Sequence, residues 1–304
     1  MNPIHFPQRT YADFEQPLTQ LMDIRRRMIS GASFTFDLSG SVFLSPLFLC
    51  GTAALAKRWQ EDGIAELELR EPRDENLRDF LRTIGYPQAF WDTETSFDAR
   101  RRLVKLQSRN CVPLIGFEVR KAEQRSTEML IQAMESLLDR QCHLTGHGLM
   151  ALRYITSELS GNIGIHASHG SGFILAHYRP NLHCIELAIA DTGVGLLQNY
   201  LSHGHDVATD AKAMMMALNG VSTKPQAITR GFGISTSRDM LVRGMKGEFF
   251  LWSGNTCFFN NPSREKIFEM MDGTTFPGCY LALRIPTMQD PTFRWDQYAE
   301  GRSI

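Results

Sequence analysis

The chain has 304 residues, of which 43% are hydrophobic and 21% charged, with a formal net charge of −1. That length predicts two domains with ample apolar material for a core. Residues 1–120 carry 16 basic and 16 acidic side chains and the rest carry 16 and 17, so neither half has the basic excess of a nonspecific nucleic-acid binder. The six cysteines stand at 50, 111, 142, 184, 257 and 279, none closer than 22 residues, which leaves no CxxC metal or redox pattern. The opening MNPIHFPQRTYADFE lacks the basic-then-apolar plan of a secretory signal, and the expectation is a reducing cytoplasm with free thiols. The charge-free run Leu38–Ala56 is broken by Ser39, Gly40, Ser41, Ser45, Pro46, Gly51 and Thr52. It reads as a buried strand and helix rather than a membrane span.

In chain order, residues 1–30 read as a polar arm ending in a short helix with Arg25, Arg26 and Arg27 on its surface. Phe34, Phe36 and Leu38 alternate with Thr35 and Asp37, the period of a strand. Ser45-Pro46 supplies an N-cap and a first-turn proline for a helix over Leu47–Gln60. Asp62-Gly63 is a turn, Ile64–Leu69 a second strand, and Asn76–Ile84 a short amphipathic helix ended by Gly85-Tyr86-Pro87. Strand–helix–strand–helix in that compass predicts a small α/β unit with parallel strands. Residues 92–110 are charged and irregular, Cys111–Val119 is a strand, and a domain boundary is expected near 120. Beyond it the pattern predicts helices over Glu123–Asp139 and Gly148–His166, then strands over Phe173–Tyr178 and Cys184–Ala190. A loop-rich stretch, Leu196–Arg230, leads to a helix near Phe232 and strands at Glu248–Trp252 and Tyr280–Ile285, with Trp252–Asn255 as a hairpin edge.

Chemistry concentrates in the second half. Glu158, Asn162 and His166 recur every four residues, which stacks them on one helix face in an otherwise uncharged stretch. Such polar groups are either wet or held by a ligand: Asn162 offers an amide oxygen to magnesium, and Glu158 a base for water. The apolar strand IELAIA then runs into Asp191-Thr192-Gly193-Val194-Gly195. This leaves a carboxylate at a strand end, able to accept from an exocyclic amine such as that of adenine, beside glycines that permit a sharp turn or a close ring. Further on, Gly231-Phe232-Gly233-Ile234 stands directly before a helix, where backbone N–H groups suit phosphate.

The fixed order of these pieces resembles the GHKL superfamily of ATP-binding domains, which includes gyrase-type ATPases, mismatch-repair ATPases, histidine kinases and anti-sigma-factor kinases. Glu158, Asn162 and His166 resemble its N box, DTGVGL its first glycine box and GFGIS its second, while Gly220–Lys224 resembles the mobile lid segment and Cys279–Pro286 the closing strand. The likeness covers about 125–288 and implies an α/β (α+β) chain: a two-layer α/β sandwich, the Bergerat fold, over 121–304. It implies Asn162 as the magnesium ligand, Asp191 as the adenine acceptor, and Gly193 and Gly195 beside the base. Thr223, Lys224, Gly231, Phe232, Gly233 and Ile234 would stand at the phosphates, and Glu158 would be the general base. His166 either touches phosphate or packs. Residues 1–120 resemble, more loosely, the STAS domain of anti-sigma-factor antagonists, whose phosphorylated residue opens the helix where Ser45 stands here, although Pro46 follows directly and a plain cap also accounts for it.

The resemblance implies ATP and Mg2+ as ligands, with a protein partner and homodimerisation among the options, while the charge balance and the interrupted apolar run argue against nucleic acid and membrane. Three uses of ATP stay open: an ATPase whose nucleotide state controls a protein interaction, a protein serine/threonine kinase, or a nucleotide-sensing module without turnover. A histidine kinase is disfavoured, because His143 and His147 lie in HLTGHG just ahead of Glu158, unlike a phosphoacceptor hairpin. His203-Gly204-His205 lacks zinc-type company and reads as solvated.

Overall fold

The computed structural model describes residues 2–10, 13–28, 33–63, 67–91, 110–118, 144, 146–166, 170–221, 223, 233–288 and 290–299, with no side-chain description for 160–166. The expected helix over 123–139 lies outside the described residues. The fold is α+β, with two sheets.

The first sheet is small and wholly parallel. Strand β1 (Asn2–His5) pairs β2 (Phe34–Asp37), which pairs β3 (Leu67–Arg70). Residues 1–30 are therefore not a mere arm. Ile4 and Phe6 are buried, the Phe6 ring lies tilted at 4.9 Å from that of Phe36, and α1 (Glu15–Arg27) follows with Leu18, Leu21 and Ile24 inward. Two apolar residues separated by one are too few to announce a strand. Helix α2 (Pro46–Glu61) begins where Ser45 Oγ accepts the Leu47 N–H at 3.2 Å. Asp74 caps α3 (Glu75–Ile84) through the Leu77 N–H, and Gly85, at φ +78°, ends it in the left-handed conformation glycine favours.

The second sheet has eight strands in the order β10-β9-β8-β11-β7-β6-β5-β4. They are β4 (Phe90–Trp91), β5 (Cys111–Glu118), β6 (Ser171–Arg179), β7 (Cys184–Asp191), β8 (Glu248–Gly254), β9 (Thr256–Asn261), β10 (Arg264–Glu269) and β11 (Phe276–Pro286). All neighbours are antiparallel except β4 and β5. The chain's first 118 residues thus contribute two strands to this sheet. Trp252–Asn255 forms the β8–β9 turn, but β8 is paired on both sides and is no edge. The edge on this side is β10, whose charged REKIFE run is largely exposed, as suits a strand with one unpaired side.

Period-2 alternation assigns the two faces of the sheet. Ile185, Leu187 and Ile189 of β7, with Phe249, Leu251, Leu281 and Leu283, face one core with the helices α4 (Gly146–His166), α5 (Gly195–Ser202), α6 (Asp210–Leu218) and α7 (Gly233–Asp239). A π-helical turn, Met240–Gly244, continues α7. Helices α5 and α6 occupy the stretch read as loop-rich. Thr209 caps α6 by accepting the Lys212 N–H at 3.2 Å, and Ala213, Met214, Ala217 and Leu218 recur on its buried face. The Gly and His residues between the two helices masked short helical periods.

Ala188 and Ala190, with Phe173, Leu175, Phe250, Trp252, Tyr280 and Ala282, face the opposite way and share a core with α1, α2 and the small sheet. Helix α2 lies on β6, β7 and β11, and residues Pro46–Ala56 are buried throughout. Each large apolar side chain so enclosed contributes roughly 1.5–3 kcal/mol. Polar ties cross this contact. Tyr280 OH donates to Leu47 O at 2.6 Å, and the Cys50 thiol points at Ala188 O at 3.5 Å. Buried Glu186 accepts from Ser45 Oγ and Arg179 at 3.2 Å and from Arg284 at 2.8 Å, so its charge is paired. Ser45 is fully enclosed, with its hydroxyl between Leu47 N and Glu186: it serves as a cap here, and a phosphoryl group would meet a carboxylate.

Candidate functional site

The site forms at the end of the large sheet, on the face covered by α4 to α7. Asp191 closes β7, and strand parity turns its side chain to that face together with Ile189. It is 4% exposed, and each carboxylate oxygen is held by the backbone: Oδ1 accepts the Gly193 N–H at 2.8 Å and Oδ2 the Cys279 N–H at 3.1 Å. Burial pushes its pKa up to about 6, against those two hydrogen bonds. The carboxylate is therefore mostly ionised at neutral pH, with each oxygen keeping a lone pair for a further donor.

Glycines make this tightness feasible. A Cβ on Gly278 would sit 2.2 Å from Asp191 Oδ1 and 2.3 Å from its carbonyl oxygen, so β11 can pass this carboxylate only without a side chain. Gly195 adopts φ +75° at the head of α5, where a Cβ would be 2.9 Å from Ser253 Oγ.

Two residues join the site that the sequence did not assign to it. Ser253 of β8 pairs with Cys279 of β11, which adjoins Asp191 across the ladder. Ser253 Oγ accepts the Leu196 N–H at 2.9 Å and donates to Gly278 O at 3.1 Å, and the Cys279 thiol lies 3.6 Å from it. Burial pushes that thiol's pKa up, so it stays protonated. Asp191, Cys279 and Ser253 thus form a row across three strands. The parity of Ser253 with Leu251, and of Cys279 with Leu281, was the available signal.

Glu158 sits half-buried on α4, one residue from Leu159, which faces the core, and α4 packs against both β7 and α7. The helix runs unbroken to His166, so Asn162 and His166 continue the stripe begun by Glu158; their side chains lie outside the described residues. Gly233 opens α7 and Ile234 packs against the same core. Lys224, Gly231 and Phe232 lie outside the described residues. Thr223 is described, and α5 holds its segment: Asn199 Nδ2 donates to Thr223 Oγ1 at 3.4 Å and Tyr200 OH to Val221 O at 2.6 Å. The structure therefore gathers Asp191, Gly193 and Gly195 with Ser253 and Cys279, and sets α4 and the head of α7 on the same sheet face.

His203 Nδ1 meets Asn199 O at 2.8 Å and His205 packs edge-on to Tyr200, so this pair is engaged locally. Among the described residues no group of three or more His, Cys, Asp or Glu side chains could hold a metal. Nor is any described helix long and apolar enough to cross a membrane. No protein-family model, curated protein or solved structure matches this chain. The fold and site define an α+β protein with a buried carboxylate at a glycine-lined sheet end.

Proposed function

We propose that this chain binds ATP with magnesium at the end of the large sheet and hydrolyses it, with a GHKL-type site over the second half. The observation that carries the reading is Asp191. A desolvated carboxylate, fixed by two backbone N–H groups, has the charge and the free lone pairs to accept an exocyclic amine. A purine amine fits this acceptor, and Gly278 and Gly195 are what let β11 and the head of α5 pack against it.

Magnesium fits the hard amide oxygen that Asn162 would offer from α4, and when bound it would neutralise phosphate charge. Glu158, one turn earlier on the same stripe, would take the proton of an attacking water. It is half-buried and thus open to solvent on one side. Gly233 and Ile234, at the head of α7, would offer backbone N–H groups to phosphate oxygens, with Thr223 and Lys224 approaching from the segment that α5 tethers. The small parallel unit with α2 resembles a STAS module and would read the nucleotide state to a protein partner.

Phosphate release from Mg·ATP, compared across wild type, Glu158→Ala and Asn162→Ala, tests the reading. Turnover should fall by ~100-fold or more in Glu158→Ala with ATP still bound, the scale of a lost general base. Asn162→Ala should lose binding. A wild-type protein that binds ATP without releasing phosphate would refute hydrolysis and leave transfer to a partner or sensing.

A further inference from the structure

The residue between Asp191 and Gly193 is held from the far face of the sheet. Thr192 is buried, and each of its polar atoms is engaged. Its N–H donates to Ser171 O at 2.9 Å, and its hydroxyl oxygen accepts the Ser171 N–H at 2.9 Å. The same hydroxyl donates to Glu61 Oε2 at 2.8 Å, and its carbonyl accepts from Arg58 Nη1 at 3.0 Å. Glu61 Oε1 takes Ser171 Oγ at 2.8 Å, so one carboxylate ties the start of β6 to the end of β7. Gly170 permits this, since at φ +118° its Cβ would lie 2.8 Å from Thr192 Oγ1. Arg58 and Glu61 stand three apart on the last turn of α2 and so share one face.

Asp191 and Thr192 are consecutive, with Cα atoms ~3.8 Å apart, so fixing one peptide fixes the other. Asp191 points to the helix-covered face and Thr192 to α2: a displacement of the α2 terminus moves the loop bearing the acceptor carboxylate. A cleft of about 590 Å3 opens beside this junction, lined by Lys57, Arg58, Glu61, Trp91, Glu118 and Thr192. The clamp is therefore reachable from outside.

We infer that Glu61, assisted by Arg58, is a positioning residue for Asp191, through which the amino-terminal unit sets the affinity of the base-binding end of the site. This rests on the nucleotide reading above. Coupling is reciprocal, so an occupant of the site stabilises the clamp as much as the clamp favours the occupant.

Titration calorimetry with Mg·ATP, adenosine and Mg·tripolyphosphate, on wild type, Glu61→Ala, Glu61→Gln and Ser171→Ala, tests it. Glu61→Ala should weaken ATP and adenosine alike by ~10-fold, within the usual range for coupled sites, and leave tripolyphosphate unchanged. Glu61→Gln keeps one acceptor and offers a donor in place of the other, so it should recover most of the loss. Ser171→Ala removes only one arm, keeps the proposal testable if Glu61→Ala fails to fold, and should give a smaller loss of the same base-selective kind. Wild-type protein that binds neither ATP nor adenosine would overturn the nucleotide reading and this inference with it. Wild-type protein that binds both, with folded variants of unchanged affinity, would overturn the clamp alone. Equal loss for adenosine and tripolyphosphate would also overturn it, as a general loosening.

Discussion

Replacing Asp191 by asparagine separates what this carboxylate does for the site from what it does to the fold. Its pKa rises from the ordinary 3.8 to about 6 because burial disfavours the charge more than the Gly193 and Cys279 N–H groups favour it. With the folded-state value the higher one, the folded chain holds the proton more tightly than the unfolded chain between these limits. Stability therefore falls as pH rises through that window: the penalty is absent below 3.8 and complete above about 6. At ~1.4 kcal/mol per pH unit, that penalty reaches ~3 kcal/mol at neutral pH. The Asp191→Asn protein carries no such penalty. It loses one of two backbone acceptors, a pH-independent cost of ~1–3 kcal/mol. Measured by urea unfolding from about pH 4 to about pH 7, the difference between variant and wild type should climb by ~3 kcal/mol in the variant's favour. A flat difference would refute a desolvated, ionised carboxylate at this place. Affinity should move oppositely: wild-type ATP binding strengthens as pH rises through about 6, because the acceptor must be ionised, and the variant loses it.

Two further substitutions probe the surroundings. Gly278→Ala drives a Cβ against Asp191 Oδ1 and its carbonyl oxygen, so unfolding free energy should drop by ~1–3 kcal/mol, the scale of overpacking. Calorimetry on the folded fraction should then show ATP affinity lost, and unchanged affinity would mean that β11 does not border the ligand. Ser45→Ala removes the α2 cap and the tie to Glu186, for a loss of ~1–2 kcal/mol in urea with nucleotide affinity intact. Ser45→Asp should be worse, because it sets a second carboxylate beside Glu186, and a stable Ser45→Asp protein would reopen phosphorylation at this position.

The elements legible in the sequence were those whose residues declare themselves locally. Ser45-Pro46 and Gly85 mark helix ends by backbone chemistry alone, Phe34–Asp37 carries its own period, and IELAIA is a short apolar run. Asp191 was legible as a strand-terminal carboxylate for the same reason. Partners supplied by the fold were not legible. Ser253 and Cys279 lie 62 and 88 residues beyond Asp191, and only the order β8-β11-β7 brings them into one row. Glu61 carries no local signal, because nothing near it in the chain needs a carboxylate. Its partners, Ser171 and Thr192, are more than 100 residues away.

The same distinction explains why the two halves work as one body. Along β7 a residue every second place meets the helices α4 to α7, and the residues between meet α2. The strand is therefore apolar at every place but two, as suits a sheet covered on both faces. An antiparallel sheet with one wet face would instead alternate Ala188 and Ala190 with polar side chains. Its two polar departures have opposite uses. Glu186 faces α2 amid two arginines and Ser45, a tie between the halves, whereas Asp191 faces the helix layer with only backbone donors among the described residues. A carboxylate already neutralised by arginine has little left for a ligand. The one that the described residues hold by N–H groups keeps its charge available, which is why the proposal rests on Asp191 and leaves Glu186 an architectural part.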